Sequence, residues 1–346
     1  MGRRLLWASL SLAPLTVAIR YALHPGDVAL FVLSALALIP LAWLIGESTE
    51  HAAEHTGPGI GGFLNASFGN APELIIALFA IADALPQVVR GTLAGSIVSN
   101  LLLVYGVTQI AGPDNVPIDR RSLLAQVGLV GLAVLAFVGP AVLGYQGNPE
   151  RHAVVVASIP VAVVLLLVYL GVVGRNLRRH RAKERDEPAA GAWSLPVALG
   201  ALAAATGATA WVSEILVHSL GAFARAVGLS EFFIAIVIVA IIGNAAEHGG
   251  AIVIARSGKM PLATEIAISS SAQVALLVVP VVMLVSLGFA SQLSLAFRWV
   301  ELGTMAVAVA VVGAMVADGR SRRWEGGLLV AVYAACVVAF YLSGNR

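Results

Sequence analysis

Apolar runs about twenty residues long follow one another along almost the whole chain, and this alone leaves few folds open to it. A helix needs about 20 mainly apolar residues to cross a bilayer. Eleven stretches meet that length, near 5–23, 26–49, 60–82, 90–110, 122–144, 152–174, 193–220, 229–256, 262–288, 298–317 and 325–342. Hydrocarbon offers the backbone no hydrogen-bonding partner, so unbroken apolar segments of this length fold as helices. The expected fold class is an all-α membrane protein with about 11 transmembrane helices. With 59% hydrophobic and 12% charged residues, the chain lies far from soluble proteins, in which about a quarter of residues are charged.

A formal net charge of +2, with the basic residues gathered at segment ends instead of along one face, excludes nucleic acid as a partner and leaves the lipid bilayer. Cys336 is the single cysteine and lies in an apolar run, which excludes a disulfide framework and a cysteine-based metal centre. The start, Met1-Gly2-Arg3-Arg4 followed by Leu5, resembles that of a signal peptide. No small-x-small cleavage motif interrupts the run before Arg20, so it is read as a retained span.

One charged connection, from Arg175 to Pro188, divides the chain nearly in half. Lys and Arg crowd the cytoplasmic loops of membrane proteins. With the N-terminus inside, 15 of the 21 basic residues fall on the inner side and 6 on the outer, namely Arg20, Arg90, Arg151, Arg225, Arg298 and Arg346. The asymmetry supports an odd span count and a cytoplasmic N-terminus, with the cell membrane of a prokaryote as the expected location. Setting the first span aside leaves five in each half, and because five is odd the second set enters the membrane from the opposite side. The expected organisation is an N-terminal helix (1–25), a five-helix repeat (26–174), a cytoplasmic linker (175–192) and an inverted five-helix repeat (193–346). Inverted repeats with interrupted helices meeting near the midplane are a recurring transporter plan.

Both halves carry the same polar device. Gly69-Asn70-Ala71-Pro72-Glu73 and Gly243-Asn244-Ala245-Ala246-Glu247 interrupt apolar runs at an offset of 174, which also links Ser96 to Ser270. A charged residue inside a membrane span is expensive and marks a functional site by default. Pro72 lacks a backbone donor and crowds the preceding turn, so the first helix is expected to kink or break just before Glu73. The second copy has Ala246 in place of the proline, so its distortion is expected to be milder or to rest on Gly243.

Ser96, Ser99 and Asn100 share one helical stripe, as do Ser270 and Gln273. Together with Asn70, Asn244, Glu73 and Glu247 they form a sulfur-free, all-oxygen set suited to a hard cation, Ca²⁺ more readily than Mg²⁺. Small and hydroxylated residues are also ordinary packing vocabulary in membrane helices, so each serine taken singly carries either reading. The two carboxylates do not, since an unpaired buried charge is costly. His248, beside Glu247, reads either as a supporting partner or proton relay or as a packed neutral imidazole.

A second acidic group, Glu47, Glu50 and Glu54, shares a helical face at the end of the second span, with Glu214 in the seventh span as a looser counterpart. These residues read as a gating and entry path for cations or, for Glu50 and Glu54, as a solvated helix end. His51-Ala52-Ala53-Glu54-His55 also fits the H-x-x-E-H pattern of zinc peptidases. Such a site needs a third ligand and an open position, and nothing in the sequence marks that partner.

On these residues the sequence resembles the cation/proton exchanger (CAX) family of the calcium/cation antiporter superfamily. The resemblance rests on G-N-A-x-E in both halves, G-N-A-A-E-H at 243–248, and the Gly95-Ser96-x-x-Ser99-Asn100 and Ser270-Ser271-x-Gln273 segments. It implies that Glu73 and Glu247 are the central carboxylates binding either metal or protons. It further implies Asn70, Asn244, Ser96, Ser99, Ser270 and Gln273 as supporting ligands, and gating roles for the helices bearing Glu47 and Glu214. The expected activity is Ca²⁺/H⁺ antiport by alternating access, not enzyme catalysis, with Ca²⁺ and protons as transported substrates and no cofactor. Sodium/calcium exchange on the same fold, a passive channel and an intramembrane zinc peptidase stay open as alternatives. So does a homo-oligomeric state.

Overall fold

The computed structural model describes residues 2–23, 26–145, 147–180 and 193–344. The expected linker lies largely outside them, at 181–192. Among the described residues the fold is all-α apart from one antiparallel bridge between β1 (Val116–Pro117) and β2 (Arg320–Ser321). Among the described residues, nine helices are long and apolar enough to cross a membrane, or ten when one bent pair is taken as a single span.

The first run forms α1 (Gly2–Ser9) and α2 (Leu12–Ala22), which together make one candidate span, Arg4–Ala22. The second and third runs fold differently from the expectation of two spans joined by a loop near residue 50. Asp27–Phe68 is helical throughout (α3), and the chain breaks only at Gly69–Asn70 before α4 (Ala71–Ala82). The charges at Glu47, Glu50 and Glu54 end an apolar run but not a helix, because their spacing keeps them on one face of a continuing one.

Then come α5 (Pro86–Ala111), α6 (Arg120–Tyr145) and α7 (His152–His180). The last passes its expected end at 174. Arginine is a good helix former and is favoured at a helix C-terminus. The second half comprises α8 (Leu195–Val227), α9 (Glu231–Gly243), α10 (Ala245–Arg256), α11 (Met260–Ser286), α12 (Trp299–Val316) and α13 (Arg323–Ser343).

Two features place the site. First, α5 and α11 are the most enclosed spans, with 83% and 67% of their apolar windows buried against 28–44% for α3, α6–α8, α12 and α13. Second, α5 crosses α9 with no clearance: a Cβ at Gly95 would lie 1.9 Å from the Ile236 carbonyl oxygen and 2.9 Å from the Ala240 Cβ. Only glycine permits such an approach of helix to backbone. Three π-helical turns, at Ser99–Val104, Ile234–Val239 and Val274–Val278, lie in these central helices. Around them α3 and α8 pack extensively on each other.

Gly95→Ala is expected to destabilise the protein by about 1–3 kcal/mol through overpacking, read as a lower melting temperature in detergent. Gly207→Ala on α8, where nothing lies within 4 Å, leaves the melting temperature unchanged or slightly raised.

Candidate functional site

The two matched asparagines adopt nearly the same non-helical backbone, φ −98° and ψ 16° at Asn70 and φ −91° and ψ 6° at Asn244. Each is the cap residue of the helix that follows, α4 or α10, yet neither side chain makes a capping bond to that helix. The amides are thereby left for the site. Each carboxylate then falls in the first turn of its helix, where free backbone N–H groups favour negative charge. The first break comes three residues before Glu73, at Gly69–Asn70, and Pro72 sits in the first turn of α4 where its missing donor is not needed. The second repeat bends by 54° at Asn244 with no proline in the stretch.

The halves meet here. The Glu73 side chain packs on Gly243, where a Cβ would stand 3.4 Å from its Cγ and 3.6 Å from its Oε1. One turn beyond Gly243, Glu247 accepts a hydrogen bond from Ser270, and the two carboxylates lie within range of each other's charge. Among the described residues neither carboxylate forms an ion pair with a lysine or arginine; the arginine ion pairs lie elsewhere, on Glu150, Asp318 and Glu325.

Around them lie a hydrogen-bonded cluster and a separate amide pair. Asn70 Nδ2 donates to Gln273 Oε1 at 2.7 Å. Asn244 Nδ2 donates to Ser96 Oγ at 2.8 Å, and Asn100 Nδ2 reaches Asn244 Oδ1 at 3.1 Å and Ser270 Oγ at 3.0 Å. His248 Nε2 lies 2.9 Å from Asn100 Oδ1. Asn70, Glu73, Asn100 and Asn244 are each 1% exposed. Ser99 is buried beside the network, but its hydroxyl turns back to the Ser96 carbonyl at 3.3 Å.

The network is lopsided, and the sequence accounts for it. At the repeat offset Asn100 corresponds to Val274 and His248 to Leu74. Asn100 donates to Asn244 Oδ1, whereas a valine has nothing to donate, and Asn70 Oδ1 is buried with no partner in the protein. Glu73 Oε2 is likewise buried and unpartnered. A carbonyl oxygen and a carboxylate oxygen left bare within one helical turn of sequence are acceptors awaiting a cation or a proton donor.

The second acidic group stands apart from this network. Glu50 is exposed, and Glu47, Glu54 and Glu214 are partly buried. Glu47 and Glu54 flank His51 at 3.6 and 4.0 Å, and the His51 ring stacks on Trp193 at 4.6 Å. His55 Nε2 contacts the Trp193 carbonyl at 2.6 Å. Both imidazoles of the zinc-like motif are thus engaged by one tryptophan next to the linker. Sequence reasoning overlooked a second polar bracket. Arg90, buried near the start of α5, pairs with Glu150 just before α7, and Glu150 Oε2 also accepts from the Ser294 N–H at 3.0 Å. Opposite charges at the ends of neighbouring spans were the available signal.

Comparison with known proteins covers almost the whole chain. The sodium/calcium exchanger protein family matches residues 27–177 and 197–342. The chain is similar to the Ca²⁺/H⁺ antiporter ChaA of Bacillus subtilis (strain 168), 38% identical over 335 residues, covering 92% of this chain and 94% of that protein. It is also similar to the Ca²⁺/H⁺ antiporter of Aphanothece halophytica, 34% identical over 343 residues, covering 92% and 91%. The solved structure of native YfkE superposes with a TM-score of 0.85 at 34% identity, over 97% of this chain and 99% of that one. With both halves matched and relatives aligned nearly end to end, the chain belongs to the sodium/calcium exchanger protein family.

Proposed function

We propose that this protein is a secondary active Ca²⁺/H⁺ antiporter in which Glu73 and Glu247 bind either the metal or protons. The observation that carries the site assignment is the meeting of two carboxylates, one from each repeat, Glu73 fully buried and Glu247 partly so, with no ion pair to arginine or lysine among the described residues and with Asn70 Oδ1 and Glu73 Oε2 bare. Two ionised carboxylates in one low-dielectric site repel each other. A divalent cation or protons relieve the repulsion, while an empty, doubly ionised site is too unfavourable to be carried across. Exchange follows from that exclusion. The relatives' names supply the ion pair, Ca²⁺ against H⁺.

Within this reading Glu73 and Asn70 form the open side of the site, and Glu247 the side braced by Ser270, Asn100 and His248. Gln273 orients the Asn70 amide, and Ser96 orients that of Asn244. The proposed span count is eleven: the nine candidate spans, the bent pair α9–α10, and the end of α3 joined to α4, which requires the chain to reverse direction within α3. A 12-residue helix such as α4 is about 18 Å long and crosses only with the half-helix before its break. The N-terminus is cytoplasmic, the membrane is a bacterial cell membrane, and α3 and α8, with Glu47, Glu50, Glu54 and Glu214 on them, line the entry path and move to switch access.

In proteoliposomes of purified protein, an imposed pH gradient drives Ca²⁺ uptake, and Glu73→Gln or Glu247→Gln reduces it to the level of protein-free vesicles; uptake retained by either variant would overturn the site. A sodium gradient at matched pH drives none, whereas sodium-driven uptake would favour sodium/calcium exchange instead. Asn70→Ala raises the Ca²⁺ KM by on the order of tenfold, equivalent to about 1.4 kcal/mol. Because protons compete for the same oxygens, lowering the pH on the side where Ca²⁺ binds raises its apparent KM, approaching about a hundredfold per pH unit where two protons are displaced per cation.

A further inference from the structure

Below the ion site, α5 continues a polar stripe that the cation network does not use. Ser96 and Asn100 are one α-turn apart. The next four residues belong to a π-helical turn, in which the Tyr105 N–H bonds to the Asn100 carbonyl five residues back. That one-residue insertion carries the stripe from Asn100 to Tyr105 instead of Val104, and Gln109 follows one α-turn later. Tyr105 and Gln109 have no solvent exposure; their side chains face each other, and among the described residues the Tyr105 hydroxyl and both amide atoms of Gln109 make no hydrogen bond of good geometry to anything else. Neither does the buried Thr108 hydroxyl beside them.

The stripe leads to a charged mouth. The backbones of α5 and α13 touch there, a Cβ at Gly326 falling 2.9 Å from the Gln109 Cβ. Tyr105 lies beside Gln109 and within the field of Glu325 and Asp318. Arg322 bridges these two carboxylates, at 2.9 Å to Glu325 and 2.7 Å to Asp318, with Arg320 and Arg323 beside it, so the mouth holds charges of both signs. In the second repeat the positions matching Tyr105, Thr108 and Gln109 are Val279, Val282 and Met283, all fully buried and apolar. The polar descent thus exists on one side of the site only. Packing does not require it, since the matched helix does without.

Several buried polar atoms with no further protein partner, set one turn apart, are satisfied by ordered water. We infer that Tyr105 and Gln109 hold a hydrated proton route along α5, from the Asn100 end of the ion site to the Asp318–Arg322–Glu325 mouth, separate from the acidic face of α3 that admits the cation. The Tyr105 hydroxyl accepts a proton from the water on one side as it releases its own to the water on the other, and the phenol is regenerated. Gln109, which gains and loses no proton, orders the chain below it. This rests on the antiport reading above and adds residues that bind no metal.

The test separates proton-coupled from proton-free flux in proteoliposomes of the full chain. Tyr105→Phe removes one oxygen at constant shape, and Gln109→Met copies the residue of the other repeat. Each variant is expected to slow pH-driven Ca²⁺ uptake by about tenfold, while exchange of radiolabelled for unlabelled Ca²⁺ at equal pH stays within about twofold of the unaltered protein. If Tyr105→Phe fails to fold, Gln109→Met alone decides. Unchanged pH-driven uptake, or an equal fall in both fluxes, overturns the route and leaves antiport standing. An unaltered protein that shows no pH-driven uptake overturns antiport itself, and the route with it.

Discussion

Everything in this structure answers to the difficulty of holding two negative charges inside a low-dielectric slab. A buried carboxylate without a partner is so unfavourable that it is ordinarily paired with a cation, and among the described residues no lysine or arginine forms an ion pair with either one. The protein offers instead the first turn of a helix to each carboxylate, a serine hydroxyl to Glu247, and a set of amides arranged by their neighbours. Breaking two helices at matched asparagines is what makes the arrangement possible, because a continuous helix has no free N–H groups at mid-span to offer.

The pseudo-symmetry of the chain explains why the site exists, and its violations explain what the site can do. Two copies of the Gly-Asn-Ala-x-Glu device ensure that two carboxylates converge. Had every neighbour been duplicated as well, the two would be equivalent, each braced or each bare. The pairings of Asn100 with Val274 and His248 with Leu74 prevent this. One half is stiffened by hydrogen bonds, and the other presents oxygens that nothing in the protein satisfies.

Much of this was legible in the sequence, for physical reasons particular to membranes. Apolar run length reports span position directly, and the repeat offset of 174 picked out Glu73, Glu247, Asn70, Asn244 and Ser270, which the fold gathers in one place. Three things were hidden. The continuity of α3 past Glu54 was masked because charge marks the end of an apolar run, not of a helix. Pro72 draws the eye as the cause of the break at Asn70, whereas the same distortion at Asn244, with no proline near, points to the Gly-Asn pair. The π-helical turns leave no composition signature, so the alignment of Tyr105 beneath Asn100 could not be read from a 3.6-residue period.

The crossing of α5 and α9 at Gly95 has a mechanical corollary. An added methyl would stand 1.9 Å from the opposing carbonyl, so the two backbones touch here and share one packed unit that carries Asn100 and leads into Asn244. In the proposed cycle that unit is the still part, and redirecting the site from one side of the bilayer to the other falls to the less enclosed helices around it.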